Sequence, residues 1–284
     1  MSNKVARAFL ALVSVGALVG SSTLRAQSIQ YHSPAGVDYR SQKDTGAVAR
    51  AQAAVTADPK NVDKIVALGI AQSGVRQFRE AIVTFTGGMK IAPTNAILYR
   101  WRGHRYLSVR EFGKAMADFN TGMKLDSNVY GIWYHMGVLK FLSADFNGAA
   151  AAFKRAQPIA PNAGEAAGST DWLWMSLERA GRDKEAVAML AKHADSAQTE
   201  PNYAYTKRLA MYRGQTAPMA LFTPADTADV QVATLSFGLG NWYMVKGDTA
   251  KAKAAFARSI KSGGWPGFGF IVAEAELKRL AGKR

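Results

Sequence analysis

A 34-residue period is the feature of this sequence that most restricts its fold. Glycine recurs at Gly69, Gly103 and Gly137, and three further columns keep the same spacing. These columns are Phe78, Phe112 and Phe146; Ala81, Ala115 and Ala149; and Phe85, Phe119 and Phe153. Glycine makes up only about 7% of average sequences, so four matching columns indicate consecutive copies of one structural unit.

The period and its columns resemble a known family of helical repeats, named below, and that resemblance implies two antiparallel helices in each copy. Glycine and alanine suit the close crossing of two helix backbones, because larger side chains would widen their ~8–10 Å separation. Pro93 and Pro161 end two of the copies, since proline lacks the backbone donor and clashes with the preceding turn. Stacked helix pairs bury a continuous core and curve into a solenoid. The predicted fold class is therefore all-α, an α-α superhelix.

The columns resemble those of the tetratricopeptide repeat (TPR) family. That family carries W-x2-L-G-x2-Y, then A-x3-F, then P within 34 residues. The third copy has Trp133, Met136, Gly137, Ala149, Phe153 and Pro161 at those positions. The resemblance implies a protein-binding module in which the first helix of each pair lines a concave groove.

The period extends outward from the three copies and then loses its register. We predict an irregular segment over 27–38, followed by half a repeat and three full repeats over 39–163. Degenerate repeats, a linker near 213–228 and a capping helix are predicted over 164–284. A good copy returns in that region at Gly240 and Phe256.

The first 26 residues have the pattern of an export signal. Lys4 and Arg7 precede an uncharged, mostly apolar run from Ala8 to Gly20, and small residues lead to Ala26. We expect cleavage after Ala26, no membrane-spanning segment after that cleavage, and a periplasmic or secreted location in a bacterium. Retention as a membrane anchor is the alternative, because no charge lies between Ala8 and Leu24.

The TPR resemblance implies that repeat positions 2, 5, 9 and 12 of the first helices face the groove. Positions 5, 9 and 12 share one helix face because they are four and three residues apart. The candidate peptide-binding residues are Val66, Ile70, Arg100, His104, Leu107, Tyr134, Val138 and Phe141. Apolar residues around Arg100 and His104 suit a peptide that carries an acidic group. Alternatively, Val138 and Phe141 pack against an adjacent helix and Arg100 is solvated.

The sequence shows no catalytic constellation, metal-ligand spacing or cofactor motif. It contains no cysteine, which excludes the usual cysteine-ligated zinc sites and any disulfide. A formal net charge of +15 favours anionic partners. Nucleic acid is disfavoured because an exported protein rarely meets it. A protein or peptide, which can be acidic, is the expected partner, and anionic lipid headgroups or cell-wall polymers are the other anionic candidates.

The expected function is that of a non-catalytic scaffold or adaptor that binds a protein or peptide. The overall plan resembles bacterial periplasmic TPR adaptors, although this chain lacks the cysteine of a lipid anchor. Two alternatives remain open. One is a subunit or chaperone of a cell-envelope assembly or secretion machine, and the other is an enzyme with its site within 201–232.

Overall fold

The computed structural model describes residues 27–192 and 203–282, so the predicted signal segment lies outside the described residues. The described chain forms thirteen α-helices and one two-stranded antiparallel sheet. The strands are β1 (Ile29–His32) and β2 (Asp38–Arg40). The helices are α1 (Ala47–Ala57), α2 (Val62–Gly74), α3 (Phe78–Ile91), α4 (Ala96–Ser108), α5 (Phe112–Leu125), α6 (Tyr130–Leu142), α7 (Phe146–Ala156), α8 (Ala163–Arg179), α9 (Asp183–Lys192), α10 (Tyr203–Tyr212), α11 (Asp229–Val245), α12 (Thr249–Lys261) and α13 (Phe268–Ala281).

The helices stack as antiparallel pairs that follow the sequence copies. Helices α2 to α7 form three successive pairs, with α1 packed against α2 as the preceding half repeat. Two more pairs follow, α8–α9 and α11–α12, and α10 packs between α8 and α11. The prediction of an all-α superhelix of antiparallel pairs is confirmed.

The glycine column allows the two helices of a pair to close on each other. A Cβ atom placed on Gly103 would lie 2.5 Å from the ring of Phe119, closer than real Cβ contacts come. A Cβ atom on Gly69 would meet Phe85 in the same way, and Cβ atoms on Gly137 and Gly240 would lie 2.7 Å from Phe153 and 2.5 Å from Phe256. In each of these four pairs, one phenylalanine of the second helix therefore packs directly onto the glycine of the first helix.

A second periodic feature lies in the turn between the helices of a pair. Arg76, Arg110 and Ala144 are 34 residues apart and have left-handed φ angles of 56°, 64° and 64°. Left-handed backbone is unfavourable for residues with a Cβ, and glycine is the usual residue at this position after a helix. Both arginines bind the C-terminal part of the chain: Arg76 contacts Asp229 at 2.5 Å and Arg110 contacts Glu274 at 2.9 Å.

The two ends of the described chain meet. Trp265, in the loop before α13, is buried and stacks on Tyr39 of β2 with 5.5 Å between ring centroids. It also meets the edge of Phe78 at 5.2 Å. The segment 27–38 is therefore not irregular as predicted, because β1 pairs with β2 and the tyrosines of this hairpin join an aromatic cluster from the C-terminal region.

Helix α13 lies on the inner side of the array. It packs against α11, α12 and α6. Its first residue, Phe268, has its ring centroid 5.3 Å from that of His104 and 5.4 Å from that of His135. Near its end, Arg279 donates a hydrogen bond to the carbonyl oxygen of Leu142 at 2.8 Å. The last helix therefore fills part of the concavity that the first helices enclose.

A buried ion pair connects the helices of the C-terminal half. Asp171 of α8 and Arg208 of α10 are 2.7 Å apart, and both side chains are fully buried. Arg208 also donates to the Thr234 carbonyl oxygen of α11 at 3.1 Å and to the Tyr212 hydroxyl at 3.2 Å. Burial raises the pKa of Asp171 to about 7. This network holds α10 between its two neighbours.

Candidate partner-binding surfaces

Four of the predicted groove residues are buried by the chain itself. Leu107, Tyr134, Val138 and Phe141 are at most 5% exposed. The Tyr134 hydroxyl lies 2.9 Å from that of Tyr205 on α10. The Phe141 ring meets Phe237 of α11, with 6.1 Å between centroids. The prediction that these four residues line an open groove is therefore wrong.

The sequence of α6 explains this burial. Nine of its 13 residues are buried, so the helix is covered on nearly all sides. A helix that is apolar all round is stable only inside a core. Helices α8, α10, α11 and α13 fold back over its inner side. For Val138 and Phe141 the structure shows the alternative reading, in which they pack against adjacent helices.

Arg100 and His104 lie at the edge of the filled region. The Arg100 guanidinium stacks on the Trp101 ring at 3.7 Å, and its Nη1 is buried without a hydrogen-bond partner in the described chain. Burial lowers the pKa of Arg100 to about 10. The His104 ring lies 4.1 Å from that of His135, and burial lowers the pKa of both histidines well below 6.5. Both imidazoles are therefore neutral at pH 7.

Val66 and Ile70 lie on α2, near the N-terminal end of the array. Ile70 is 40% exposed, as is Ile97 on the next first helix, whereas Val66 is half-buried against the core beside Leu98. Ile70 and Ile97 are therefore apolar side chains that the described chain leaves exposed. Peptide binding by Val66 and Ile70 stays a prediction.

A larger apolar surface lies between the hairpin and α13. This hairpin cleft has a volume of about 800 Å³. Its lining comes from the hairpin, from the turn between α4 and α5, and from helices α5, α6, α12 and α13. The lining residues are Tyr31, His32, Ser33, Pro34, Ala35, Val37, Tyr39, Arg110, Phe112, Leu142, Ile260, Ile271, Glu274, Ala275 and Lys278. The cleft therefore exists only because the two ends of the chain meet.

The charged groups of the hairpin cleft are mostly paired. Glu274 accepts hydrogen bonds from the Tyr31 hydroxyl at 3.1 Å and from Arg110 Nη2 at 2.9 Å. Burial and the Glu274 charge raise the pKa of Tyr31 to about 12, so its hydroxyl stays protonated at neutral pH. Lys278 is exposed and forms no ion pair within the described part of the chain. Lys278 therefore leaves the cleft with an unpaired positive charge.

No group of three or more histidine, cysteine, aspartate or glutamate side chains that could hold a metal ion occurs in the described ranges. None of the helices in those ranges is long and apolar enough to cross a membrane.

Comparisons with known proteins agree with the helix-pair architecture. No family model matches the sequence. In a solved structure of the APC/C hetero-tetramer Cut9–Hcn1, the matched chain superimposes with a TM-score of 0.51 at 14% identity, covering 77% of this chain and 44% of that one. The chain folds as a tetratricopeptide-repeat solenoid.

Further similarities are weaker or shorter. YrrB, described as a TPR protein with an unusual peptide-binding site, has a TM-score of 0.45 at 13% identity, covering 76% of this chain and 93% of that one. The heat-shock protein cognate co-chaperone sgt12 of Aspergillus fumigatus is 27% identical over 130 residues, which is 44% of this chain. The chain spans only 38% of the length of that relative.

The residues of the hairpin cleft were not identified as a site from the sequence. The stretch Tyr31 to Tyr39 contains Pro34 and Gly36, and such turn residues between aromatic positions are a hairpin signal. That signal predicts paired strands, but it cannot show that the hairpin packs beside the last helix of a TPR solenoid. Arg110 and Glu274 are 164 residues apart and come together only through the curvature of the array.

Proposed function

We propose that the protein is an exported, non-catalytic TPR scaffold that binds a peptide segment of a protein partner in the hairpin cleft. The observation that carries this proposal is the cleft itself. Much of the predicted groove is filled by the chain's own helices, whereas the cleft offers about 800 Å³ of mostly apolar space. Ligand-binding pockets are commonly concave and apolar with a few polar groups that fix orientation, and apolar grooves and side-chain pockets are recurring features of peptide recognition.

The chemistry of the cleft favours a peptide with a large apolar side chain next to an acidic one. Phe112, Leu142 and Ile271 supply apolar lining. Lys278 supplies the unpaired cation, and a formal net charge of +12, which remains after Lys4, Arg7 and Arg25 leave with the signal segment, attracts acidic partners over a longer range. Glu274 already accepts bonds from two donors, so it presents little free negative charge to repel the ligand.

A displayed library of short random peptides tests the binding site. We expect the wild-type chain from Gln27 onward to enrich peptides that combine a large apolar residue with a neighbouring Asp or Glu. The Ala275→Trp variant should lose this enrichment because the indole would occupy the cleft. The Val83→Trp variant is the matched control, since Val83 is 72% exposed on α3 and does not line the cleft.

A charge reversal separates the apolar from the ionic contribution. Lys278→Glu should shift the enriched peptides away from acidic residues while retaining the apolar preference. Enrichment that is the same in wild type and Ala275→Trp would refute the cleft as the binding site. The export part of the proposal rests on the first 26 residues and predicts a periplasmic or secreted protein whose N-terminal sequencing begins at Gln27.

A further inference from the structure

Two of the four arginines at α4 and its exit have an anionic partner. Arg102 forms two hydrogen bonds to the Asp118 carboxylate, at 2.8 and 2.7 Å, and Arg110 binds Glu274. Arg100 and Arg105 make no ion pair with any described residue, and both have buried guanidinium nitrogens that lack a hydrogen-bond partner. Arg105 is the more enclosed, with only 6% of its surface exposed.

Arg105 faces a small pocket on the side of the molecule where α2 and α4 meet the loop before α13. The pocket has a volume of about 330 Å³ and is lined by Gln42, Ser73, Gly74, Arg76, Phe78, Arg105, Val230, Pro266 and Gly267. The Arg105 guanidinium lies 4.8 Å above the centre of the Phe78 ring, which fixes its position. None of these residues lines the hairpin cleft.

The pocket has a positive electrostatic character that no acidic side chain in its lining offsets. The charge of Arg76 is balanced by Asp229 at 2.5 Å, whereas Arg105 has no such partner. Gly267 is the N-cap of α13, a 14-residue helix whose start has no side-chain cap and no acidic residue in its first turn. Helix starts of this kind attract anions through their free N–H groups and the helix dipole.

A buried arginine without a counterion is costly for the folded protein. Burial and the nearby Arg100 lower the pKa of Arg105 to about 9, which reflects this cost. Buried charges are ordinarily paired, because desolvation otherwise disfavours the charged form. An anion bound in the pocket would supply the missing pair.

We propose that this pocket binds a single oxyanion group, a carboxylate or a phosphate, through the guanidinium of Arg105. Guanidinium groups bind both anions with charge-assisted and often bidentate hydrogen bonds. Ser73 and the start of α13 border the same space. The pocket has ample room for one small anion, or for one acidic side chain of a bound protein, and the proposal does not depend on the hairpin cleft.

Calorimetric titration at low ionic strength tests the site with three probes: inorganic phosphate, acetate and a capped tripeptide with one central glutamate. We expect saturable binding of at least one probe at one site per chain. Arg105→Gln should weaken it at least tenfold. Lys253→Gln removes the same charge from an exposed position on α12 and should leave binding unchanged.

The order of the affinities identifies the source of the anion. Tightest binding of phosphate points to a free small molecule, and tightest binding of the tripeptide points to a partner's side chain. If none of the three probes binds saturably, or if both variants weaken binding equally, the site does not exist.

If Arg105→Gln folds poorly, thermal unfolding of the wild type and of Arg105→Lys tests the site instead. The tightest probe should raise the melting temperature of the wild type, since a ligand of the native state stabilises it by mass action. In Arg105→Lys, which keeps the charge but not the guanidinium fork, the rise should be smaller. An equal rise in both proteins would overturn the assignment to Arg105.

Discussion

At the scale of single residues, one absent carbon atom lets each helix pair close. A Cβ atom on Gly103 would lie 2.5 Å from the Phe119 ring, and Phe119 is fully buried. Gly87 on α3 provides the contrast, because a Cβ there would have no atom within 4 Å. The two glycines therefore have opposite roles: the first is required by packing, and the second only weakens its helix.

Alanine substitution separates these roles. Gly103→Ala should lower the free energy of unfolding by about 1–3 kcal/mol, because overpacking forces the Phe119 ring out of its position. Gly87→Ala should raise it by about 0.5–1 kcal/mol, because alanine is the better helix former. Urea denaturation measures both changes. A loss of stability in Gly87→Ala as large as in Gly103→Ala would contradict this explanation.

At the scale of elements, α10 has no place in the 34-residue scheme and is held by a polar network instead. Its Arg208 is fully buried and contacts Asp171 of α8 and the Thr234 carbonyl of α11. Breaking a buried ion pair leaves an uncompensated charge and typically costs about 3–5 kcal/mol. The position of α10 therefore depends strongly on this one side chain.

Removal of Arg208 should have a pH-dependent effect. Burial already raises the pKa of Asp171 to about 7, and loss of the arginine should raise it further. A raised carboxyl pKa gives stability that is present at low pH and lost as pH rises through the folded-state pKa. The stability lost in Arg208→Met, measured by urea denaturation against wild type, should therefore be larger at pH 8 than at pH 5.

A double variant provides the control. The double variant Arg208→Met/Asp171→Leu removes both charges. At pH 8 its free energy of unfolding should be closer to that of the wild type than that of Arg208→Met is. If the single variant loses equal stability at both pH values, Asp171 is not the titrating group.

The elements differ in how far the sequence predicts them. Helices α2 to α7 are predictable because each contact, such as that between Gly103 and Phe119, lies within one copy and repeats in the next. The positions of the β1–β2 hairpin and of α10 cannot be predicted from the repeat. Tyr39 packs on Trp265, 226 positions later, and Arg208 pairs with a residue from a copy that has lost register. Periodicity carries no information about contacts of this kind.

At the scale of the whole molecule, the chain closes on itself. The open inner wall predicted from Val138 and Phe141 is filled, because apolar residues facing a groove and apolar residues facing a core look alike in the sequence. Of the eight predicted groove residues, Ile70 is exposed, whereas Val66, Arg100 and His104 are half-buried. Arg110 and Arg76 hold the closure by ion pairs to Glu274 and Asp229, although both sit in left-handed turns.

Two glycine substitutions at the same φ angle measure how much this closure contributes. Ala144 and Arg110 both have φ of 64°. Ala144→Gly should raise the free energy of unfolding by about 1 kcal/mol, because it removes only the left-handed strain. Arg110→Gly removes the same strain together with the partly buried contact to Glu274, so we expect a net loss of stability in urea denaturation. A gain in both variants would show that Arg110 does not hold α13.

The meeting of the hairpin with Trp265 also limits how this protein can evolve. In an open solenoid, a gene duplication that adds one unit merely lengthens the rod. Here an additional 34-residue unit would rotate and displace the last helix relative to the first strand, and Tyr31 and Tyr39 would lose their stack on Trp265. The number of repeats is therefore fixed by the geometry of closure.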